Sequence, residues 1–393
     1  MIRLEADWLN SSGSRAVIEA LEAAKPGCAR FVGGCVRNQV MSRPVDDLDI
    51  ATQLVPAQTL AALEAAGIRA IPTGIEHGTI TAVIDQQPFE ITSLRRDVAT
   101  DGRRAVVAFT DDWDEDALRR DFRMNALYAA PDGTLYDPTG GGYEDALAGR
   151  VIFIGDGDQR LREDYLRILR FFRFNAWYGA EIDPDGLSAC ARQTAGLSQI
   201  ARERIWKEFR KLLGAPDPLP ALSAMAASGV LGHILPLSAS LDGVHDLRVS
   251  EQLCGVQPDP LLRLMALIPR SALAIQETDD ALRLSKLEKE RLTMWAADNL
   301  PDLKGLNGRQ LRALLYWHGV QAVVDRALLS GADVRDLLAA ANAWKRPEFP
   351  ITGDDALQAG FEGRAVGEAL SRVGKVWVES DFSLDRPALL KLL

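Results

Sequence analysis

FVGGCVRNQVMSRPVDDLDIAT, residues 31–52, sets the glycine pair Gly33-Gly34 ahead of the acidic triplet Asp47-Leu48-Asp49. Glycine lets a backbone come close to a phosphate chain, and the amides exposed there can cradle anionic oxygens. In an extended strand, residues two apart point to the same face, so Asp47 and Asp49 are expected to project together. Two parallel carboxylates repel each other unless a cation lies between them, and hard oxygen ligands suit Mg²⁺ bound together with substrate phosphates. Taken alone, a Gly-Gly pair or an Asp-x-Asp is more often a turn or a solvated strand end. Their order and spacing, with Arg37 between them, favour a phosphate cradle joined to a metal clamp.

Outward from this stretch, residues 1 to about 140 alternate helical and strand signals. Ser14–Ala24 and Val55–Ala66 read as helices, the second with a proline start and a stop at Gly67. Short β-type runs fall at 68–71, 79–84, 88–94, 105–109, 126–129 and 134–136, and the Asp-Leu-Asp triplet is expected on another, after a helix begun near Cys35. This is a mixed α/β head with a small sheet, of the α+β class. The cluster Asp137-Pro138-Thr139-Gly140-Gly141-Gly142 marks a hinge or turn. Beyond Asp156 nearly everything reads as helix, so the rest is expected to be all-α, in packed bundles. The expected division is a head at 1–140, a helical neck at 141–215, a body at 216–345 and a tail at 346–393.

The chain has 393 residues and a net charge of -10, with no apolar run near the length of a membrane span and no apolar signal core in MIRLEADWLNSS. Cys28, Cys35, Cys190 and Cys254 lack paired metal-ligand spacing, and the four histidines make no HExxH. A reducing, cytoplasmic setting is expected. The acidic balance speaks mildly against nucleic acid, yet from Gln159 to Leu213 it reverses through Arg160, Arg162, Arg167, Arg170, Arg173, Arg202, Arg204, Lys207, Arg210 and Lys211. Such a stripe suits either a phosphate-backbone partner or a solvated helix face.

The glycine–acid pattern resembles the signature of the polymerase-β-like nucleotidyltransferase superfamily, in particular its class II tRNA nucleotidyltransferase/poly(A) polymerase branch. That pattern usually runs Gly-Gly-x-Val-Arg-Asp; here Asn38 stands for the last Asp, which keeps hydrogen bonding and loses charge. The resemblance implies a catalytic site of Asp47 and Asp49, with two Mg²⁺ ions on them during catalysis and Glu90 as third carboxylate. Glu90 shares a strand face with Thr92, although an ordinary exposed strand carboxylate is the alternative. Arg119-Arg120-Asp121-Phe122-Arg123-Met124-Asn125-Ala126, closing an acidic helix from near Asp112, is similar to the family's Arg-Arg-Asp-Phe-x-x-Asn-Ala element. By that likeness Arg120, Asp121 and Asn125 contact triphosphate and ribose, and Gly33, Gly34 and Arg37 steady the triphosphate.

Arg162-Glu163-Asp164-Tyr165-Leu166-Arg167, expected on a helix continuing through Arg170 and Arg173, resembles the family's Glu-Asp-x-x-Arg element. Three residues apart on one face, Asp164 and Arg167 also suit a plain intrahelical ion pair. As an amino-acid template they would match the amino donor and ring-nitrogen acceptor of cytosine or adenine and reject uracil and guanine. Glu203–Leu213 resembles a bracing helix, with an apolar stripe of Ile205, Phe209 and Leu212. Arg170, Arg173, Arg204 and Lys211 are the candidate tRNA contacts. Arg95–Arg104 reads as a mobile surface loop, where the family carries the loop that switches CTP for ATP. In the tail, Thr352 and Asp355 form a capping box, and Arg364 and helix amides are candidates for phosphates. No appended phosphohydrolase domain is expected. The implied reaction is addition of C, C and A to the 3′ end of tRNA from CTP and ATP. Poly(A) polymerase and A-only addition share its motifs, and the oligomeric state stays open.

Overall fold

The computed structural model describes residues 2–100, 105–238 and 240–393. They form two compact units, Met1–Pro236 and Leu237–Leu393. In the first, α1 (Ser12–Ala24) starts where the Ser11 hydroxyl accepts from Ser14 N–H at 3.1 Å, and it buries Val17, Ile18 and Leu21. A seven-stranded sheet follows, built from β1 (Ala29–Val32), β2 (Leu48–Thr52), β3 (Arg69–Gly74), β4 (Thr79–Ile84), β5 (Gln87–Ser93), β8 (Tyr128–Ala129) and β9 (Leu135–Tyr136). Its order is β3-β4-β5-β2-β1-β8-β9. The helix α2 (Gly34–Val40) links β1 to the loop before β2, and α3 (Pro56–Ala65) begins at a proline, whose missing N–H costs a first turn nothing.

The strand pairings place the site. β1 and β2 run antiparallel, Phe31 opposite Ile50, and β2 runs parallel to β5 with Asp49 beside Glu90. Alternation sends Phe31, Ile50, Phe89 and Ile91 into the core, all fully buried, and leaves Asp49 and Glu90 on the other face. β6 (Arg95–Thr100) and β7 (Ala105–Phe109) form a separate antiparallel hairpin. The expected loop at Arg95–Arg104 is therefore strand over 95–100, because Arg95, Arg96 and Asp97 pair with Phe109, Ala108 and Val107; its remainder, 101–104, lies outside the described residues. The hairpin leads into α4 (Trp113–Leu118), capped by the Asp112 carboxylate on Asp114 N–H at 2.8 Å.

Helices α5 (Gly142–Ala148), α6 (Gly157–Glu163), α7 (Leu166–Tyr178), α8 (Pro184–Gln193), α9 (Arg202–Leu213), α10 (Leu219–Ala227) and α11 (Val230–Ile234) complete this unit. They share a core with the segment after α4. Phe122 packs on Phe153, Phe171 and Phe174 at ring-centroid separations of 5.0, 6.3 and 5.2 Å. The stripe of Ile205, Phe209 and Leu212 on α9 is buried, as its periodicity predicts. The second unit is helical from Asp242 to Leu390. One of its clusters gathers Leu300, Leu311, Leu315, Val323 and Ala341, and another Ile351, Val373, Trp377, Val378 and Leu389. Asp355 accepts from the Thr352 N–H at 2.8 Å and from its hydroxyl at 2.9 Å, so the expected cap pair is present. Among the described residues no helix is long and apolar enough to cross a membrane.

Candidate active site

Gly33 sits between β1 and α2 with φ 71° and ψ -119°, a backbone state that side chains rarely adopt, and its N–H donates to Leu127 O at 3.2 Å. A Cβ there would come within 3.7 Å of Arg120 Nη1. The cradle thus lies directly beside an arginine fork. Opposite it, Asp47 ends the loop into β2 and is exposed, while Asp49 is the second residue of the strand. Neighbouring strands lie about 4.8 Å apart, so the parallel register brings the Asp49 and Glu90 backbones side by side. Burial and the charge of Glu90 are the main causes lifting the Asp49 carboxyl to about 6, with Asp47 adding to them and Arg120 and Arg37 opposing.

These charges test the fit of a divalent cation. Two further carboxylates, Glu90 and Asp47, act on Asp49, with Arg120 and Arg37 opposing, and such hard oxygens are the kind of ligand that Mg²⁺ takes. Among the described residues no group of three or more His, Cys, Asp or Glu side chains is placed to hold a metal ion. An open carboxylate pair suits Mg²⁺, which takes one or two carboxylates and fills its remaining positions with water and substrate phosphates.

Arg37 is buried, and its guanidinium is fully directed. Its Nη1 donates to Asn125 Oδ1 at 2.6 Å, and its Nη2 to Asn38 Oδ1 at 2.8 Å and to Tyr178 Oη at 2.9 Å. Asn38 Oδ1 also accepts from Arg37 Nε at 3.2 Å, while its Nδ2 donates to Pro44 O at 2.8 Å. The amide therefore keeps the hold on Arg37 that an Asp would have and adds a tie to the loop before β2. From Asn125 the network continues: Nδ2 donates to Asp121 Oδ1 at 3.0 Å, and Arg170 Nε donates to Asp121 Oδ2 at 2.7 Å. Burial works to raise the Asp121 carboxyl, but Arg170, Asn125 and the Phe122 N–H hold it down at about 2. Arg120, Asp121 and Asn125 do not close the acidic helix as expected. α4 stops at Leu118, and these residues follow in a turn that ends in a 3-10 segment, Arg123–Asn125.

The pair Asp164 and Arg167 departs more from expectation. Asp164 is extended, with φ -153° and ψ 103°, and breaks the run into α6 and α7. Its Oδ1 accepts from Leu166 N–H at 3.1 Å, and its Oδ2 from Arg204 Nη2 at 3.2 Å. Arg167 pairs with Glu163 at 2.8 Å and donates through Nη2 to Arg119 O at 2.7 Å. An ion pair to Arg167 exists, then, but its acid is Glu163 at the end of α6, so the pair spans the break between the helices, and Asp164 does not take that role. Tyr165, between them, lies flat over Gly196, where a Cβ would fall 2.1 Å from its ring.

The four candidate tRNA contacts divide. Arg170 is held by Asp121, and Arg173 by Glu208 at 2.5 Å, both on buried carboxylates. Arg204 is half exposed on Asp164, and Lys211 is exposed. In the tail, Arg364 is exposed and pairs with Glu368 at 3.0 Å. Sequence reasoning missed Asp116, Glu163 and Tyr178. Asp116, in α4, stands three and four residues before Arg119 and Arg120, which follow the helix end, and that spacing of side-chain pairs would have found it. Cys28, Cys35 and Cys190 are buried and burial raises each thiol, Cys35 to about 11, so none is poised as a nucleophile.

Residues 29–152 match the model of the poly A polymerase head domain, and residues 179–241 that of a probable RNA- and SrmB-binding site of polymerase A. The chain is 35% identical to the mitochondrial CCA tRNA nucleotidyltransferase 1 of Mus musculus, over 93% of this chain and 86% of that protein. It belongs to the CCA-adding tRNA nucleotidyltransferase family. A bacterial family member, the CCA-adding enzyme of Limosilactobacillus fermentum, is 32% identical over 92% of both chains. The family fold is shared with the Bacillus stearothermophilus CCA-adding enzyme solved in complex with CTP, at a TM-score of 0.79 and 24% identity, over 97% of this chain and 96% of that one.

Proposed function

We propose that this protein adds C, C and A in order, without a nucleic-acid template, to the 3′ end of tRNA, using CTP and ATP and releasing pyrophosphate. Near full-length likeness to CCA-adding enzymes carries this reading, in a chain whose Asp49 and Glu90 stand side by side beside a glycine cradle. The matched domain models bear the name of poly(A) polymerase and do not separate the two activities; the relatives do.

In each cycle the tRNA 3′-oxygen bonds to the α-phosphorus, and the bond to pyrophosphate breaks. Asp47 and Asp49, with Glu90 beside Asp49, would hold two Mg²⁺ ions, which when bound supply Lewis-acid polarisation and neutralise charge on phosphate. Gly33 and Gly34 admit the triphosphate to the backbone, and Arg120 neutralises it. Arg37, locked by Asn38, Asn125 and Tyr178, fixes the floor of the cradle. Asp121 keeps Asn125 turned toward the ribose, held charged by Arg170. Asp164 accepts from the amino group of C or A while Arg167 donates to the ring nitrogen. A uracil or guanine would leave both groups opposed, which discriminates by roughly 10⁴-fold or more in a site built to hydrogen-bond. Arg204 and Lys211 guide the acceptor end, with Arg170 and Arg173 bracing behind them. The division into head (1–140), neck (141–215), body (216–345) and tail (346–393) assigns chemistry and base choice to the first unit and tRNA grip to the tail. The segment through 101–104 serves the switch from CTP to ATP. A reducing compartment such as the cytoplasm suits the unpaired thiols.

The test uses tRNAs ending before CCA, after C and after CC, each with single labelled nucleotides. Products that stop at A when CTP and ATP are both present support the reading, and long A tails overturn it. Replacing Asp164 and Arg167 with Ala is expected to relax base choice more than it slows transfer. Equal loss with all four nucleotides and unchanged selectivity sinks the template.

A further inference from the structure

We propose that Asp116 is the positioning residue that aims Arg120 at the glycine cradle and anchors that aim to the base of the β6–β7 hairpin. The inference rests on the reading of Arg120 as a triphosphate contact. Asp116 is buried at 1% exposure, and both its oxygens are saturated by donors from different elements. Oδ2 accepts from Arg120 Nε at 3.3 Å, Arg120 Nη2 at 3.0 Å and Tyr128 Oη at 2.7 Å. Oδ1 accepts from Arg119 Nε at 2.9 Å, Arg119 Nη2 at 2.6 Å and the Arg95 N–H at 3.3 Å.

The geometry of the fork gives this its consequence. With Nε and Nη2 of Arg120 both committed to one carboxylate oxygen, the guanidinium plane is fixed and Nη1 is the edge beside Gly33. Arg120 is 19% exposed and its charge acts on Asp49, so it stands between cradle and clamp. One carboxylate carries two arginines, leaving a surplus positive charge at the edge of the cradle, where an anion would meet it. An arginine without such a partner would give up several rotamers on binding, an entropy cost that a pre-set fork avoids. Asp116 also ties three pieces together: the first residue of β6, the strand β8 through Tyr128, and the turn carrying Arg119 and Arg120. Arg119 in turn offers its carbonyl to Arg167, so the same node reaches the base-selection segment.

The experiment is a double-mutant cycle between D116N and R120A, reading KM for CTP and ATP against KM for primer tRNA. D116N is expected to raise both nucleotide KM values about tenfold or more with the tRNA KM nearly unchanged, since only nucleotide contacts are misaimed. In the R120A background the same substitution should add little, because the group it aims is gone. D116E should recover part of the loss by restoring the charge. Y128F, which removes one neutral donor from Oδ2, should shift nucleotide KM the same way by a smaller factor and keeps the test open if D116N does not fold. Fully additive losses, or D116N moving tRNA and nucleotide KM together, would reduce Asp116 to a structural anchor and overturn the proposal. R120A with unchanged nucleotide KM would instead remove the triphosphate reading beneath it.

Discussion

Asp49 holds its proton up to about pH 6, against 3.8 for an ordinary Asp, because it is partly buried with Glu90 and Asp47 nearby. Between those values the native state binds more protons than the unfolded chain, so stability falls as pH rises through that window. Ionised Asp49 is therefore a destabilising group at neutral pH. D49N is expected to stabilise the protein in EDTA at pH 7.5 by about 1–3 kcal/mol while abolishing nucleotide addition. Urea titration checks this, and a D49N midpoint at or below the parent's would refute it. Asn38 is a quieter case at the same scale. Since its amide already satisfies Arg37, N38D should change turnover little, whereas N38A strips two acceptor contacts and should raise nucleotide KM by about tenfold. A large N38D effect, measured in steady-state addition of CTP, would show that charge at this position matters more than the hydrogen bonds.

The break between α6 and α7 decides where Asp164 and Arg167 stand. From Arg162 to Arg173 the sequence reads as one amphipathic helix. At the stop, the Asp164 carboxylate accepts from Leu166 N–H, a local alternative to the helix ladder, and distant groups hold it: Arg204 on Asp164, Arg119 O under Arg167, and the Tyr165 ring over Gly196 in the 3-10 segment Thr194–Gln199. Gly196→Ala puts a methyl into the space Tyr165 fills. Overpacking of this kind costs about 1–3 kcal/mol, and here it should also displace the residue next to Asp164. The expected result is a lower Tm together with more UTP and GTP incorporation. A lower Tm with unchanged base choice would confine Gly196 to packing. The β6–β7 hairpin was partly legible, since Asp101-Gly102 between β-prone flanks is a hairpin signal. Charge in Arg95, Arg96, Arg103 and Arg104 outweighed it, because surface loops share that composition.

At the scale of the whole molecule, the described site residues all fall within Met1–Pro236, including both helices of the base-selecting segment. The phenylalanine core of Phe122, Phe153, Phe171 and Phe174 joins the turn after α4 to α7, so head and neck share packing. The helices at 219–227 and 230–234 also belong to this unit, beyond the expected neck boundary at 215. The fragment 1–236 should therefore unfold cooperatively and be stabilised by CTP with Mg²⁺, while losing most of its affinity for tRNA. Calorimetry with and without nucleotide tests the first half, and filter binding the second. A fragment that aggregates, or that binds tRNA as well as the full chain, would contradict this division of labour.

By itself, the sequence determined the α+β head with its helical continuation and marked Gly33-Gly34, Asp47, Asp49 and Glu90 as candidates. Those features depend on local signals: glycine where φ is positive, alternation along strands, and periodicity along helices. Only the tertiary structure decided which groups meet. Parallel pairing of β2 with β5 put Glu90 next to Asp49, although 41 positions separate them in the chain. Distant donors and acceptors completed the local pairs: Arg204 closed on Asp164, Arg119 O on Arg167, and Arg95 and Tyr128 joined Arg119 and Arg120 on Asp116. The pairs Glu163–Arg167 and Asp116–Arg119/Arg120 follow spacings of three and four along the chain, but which distant polar group completes each is settled by three-dimensional closure.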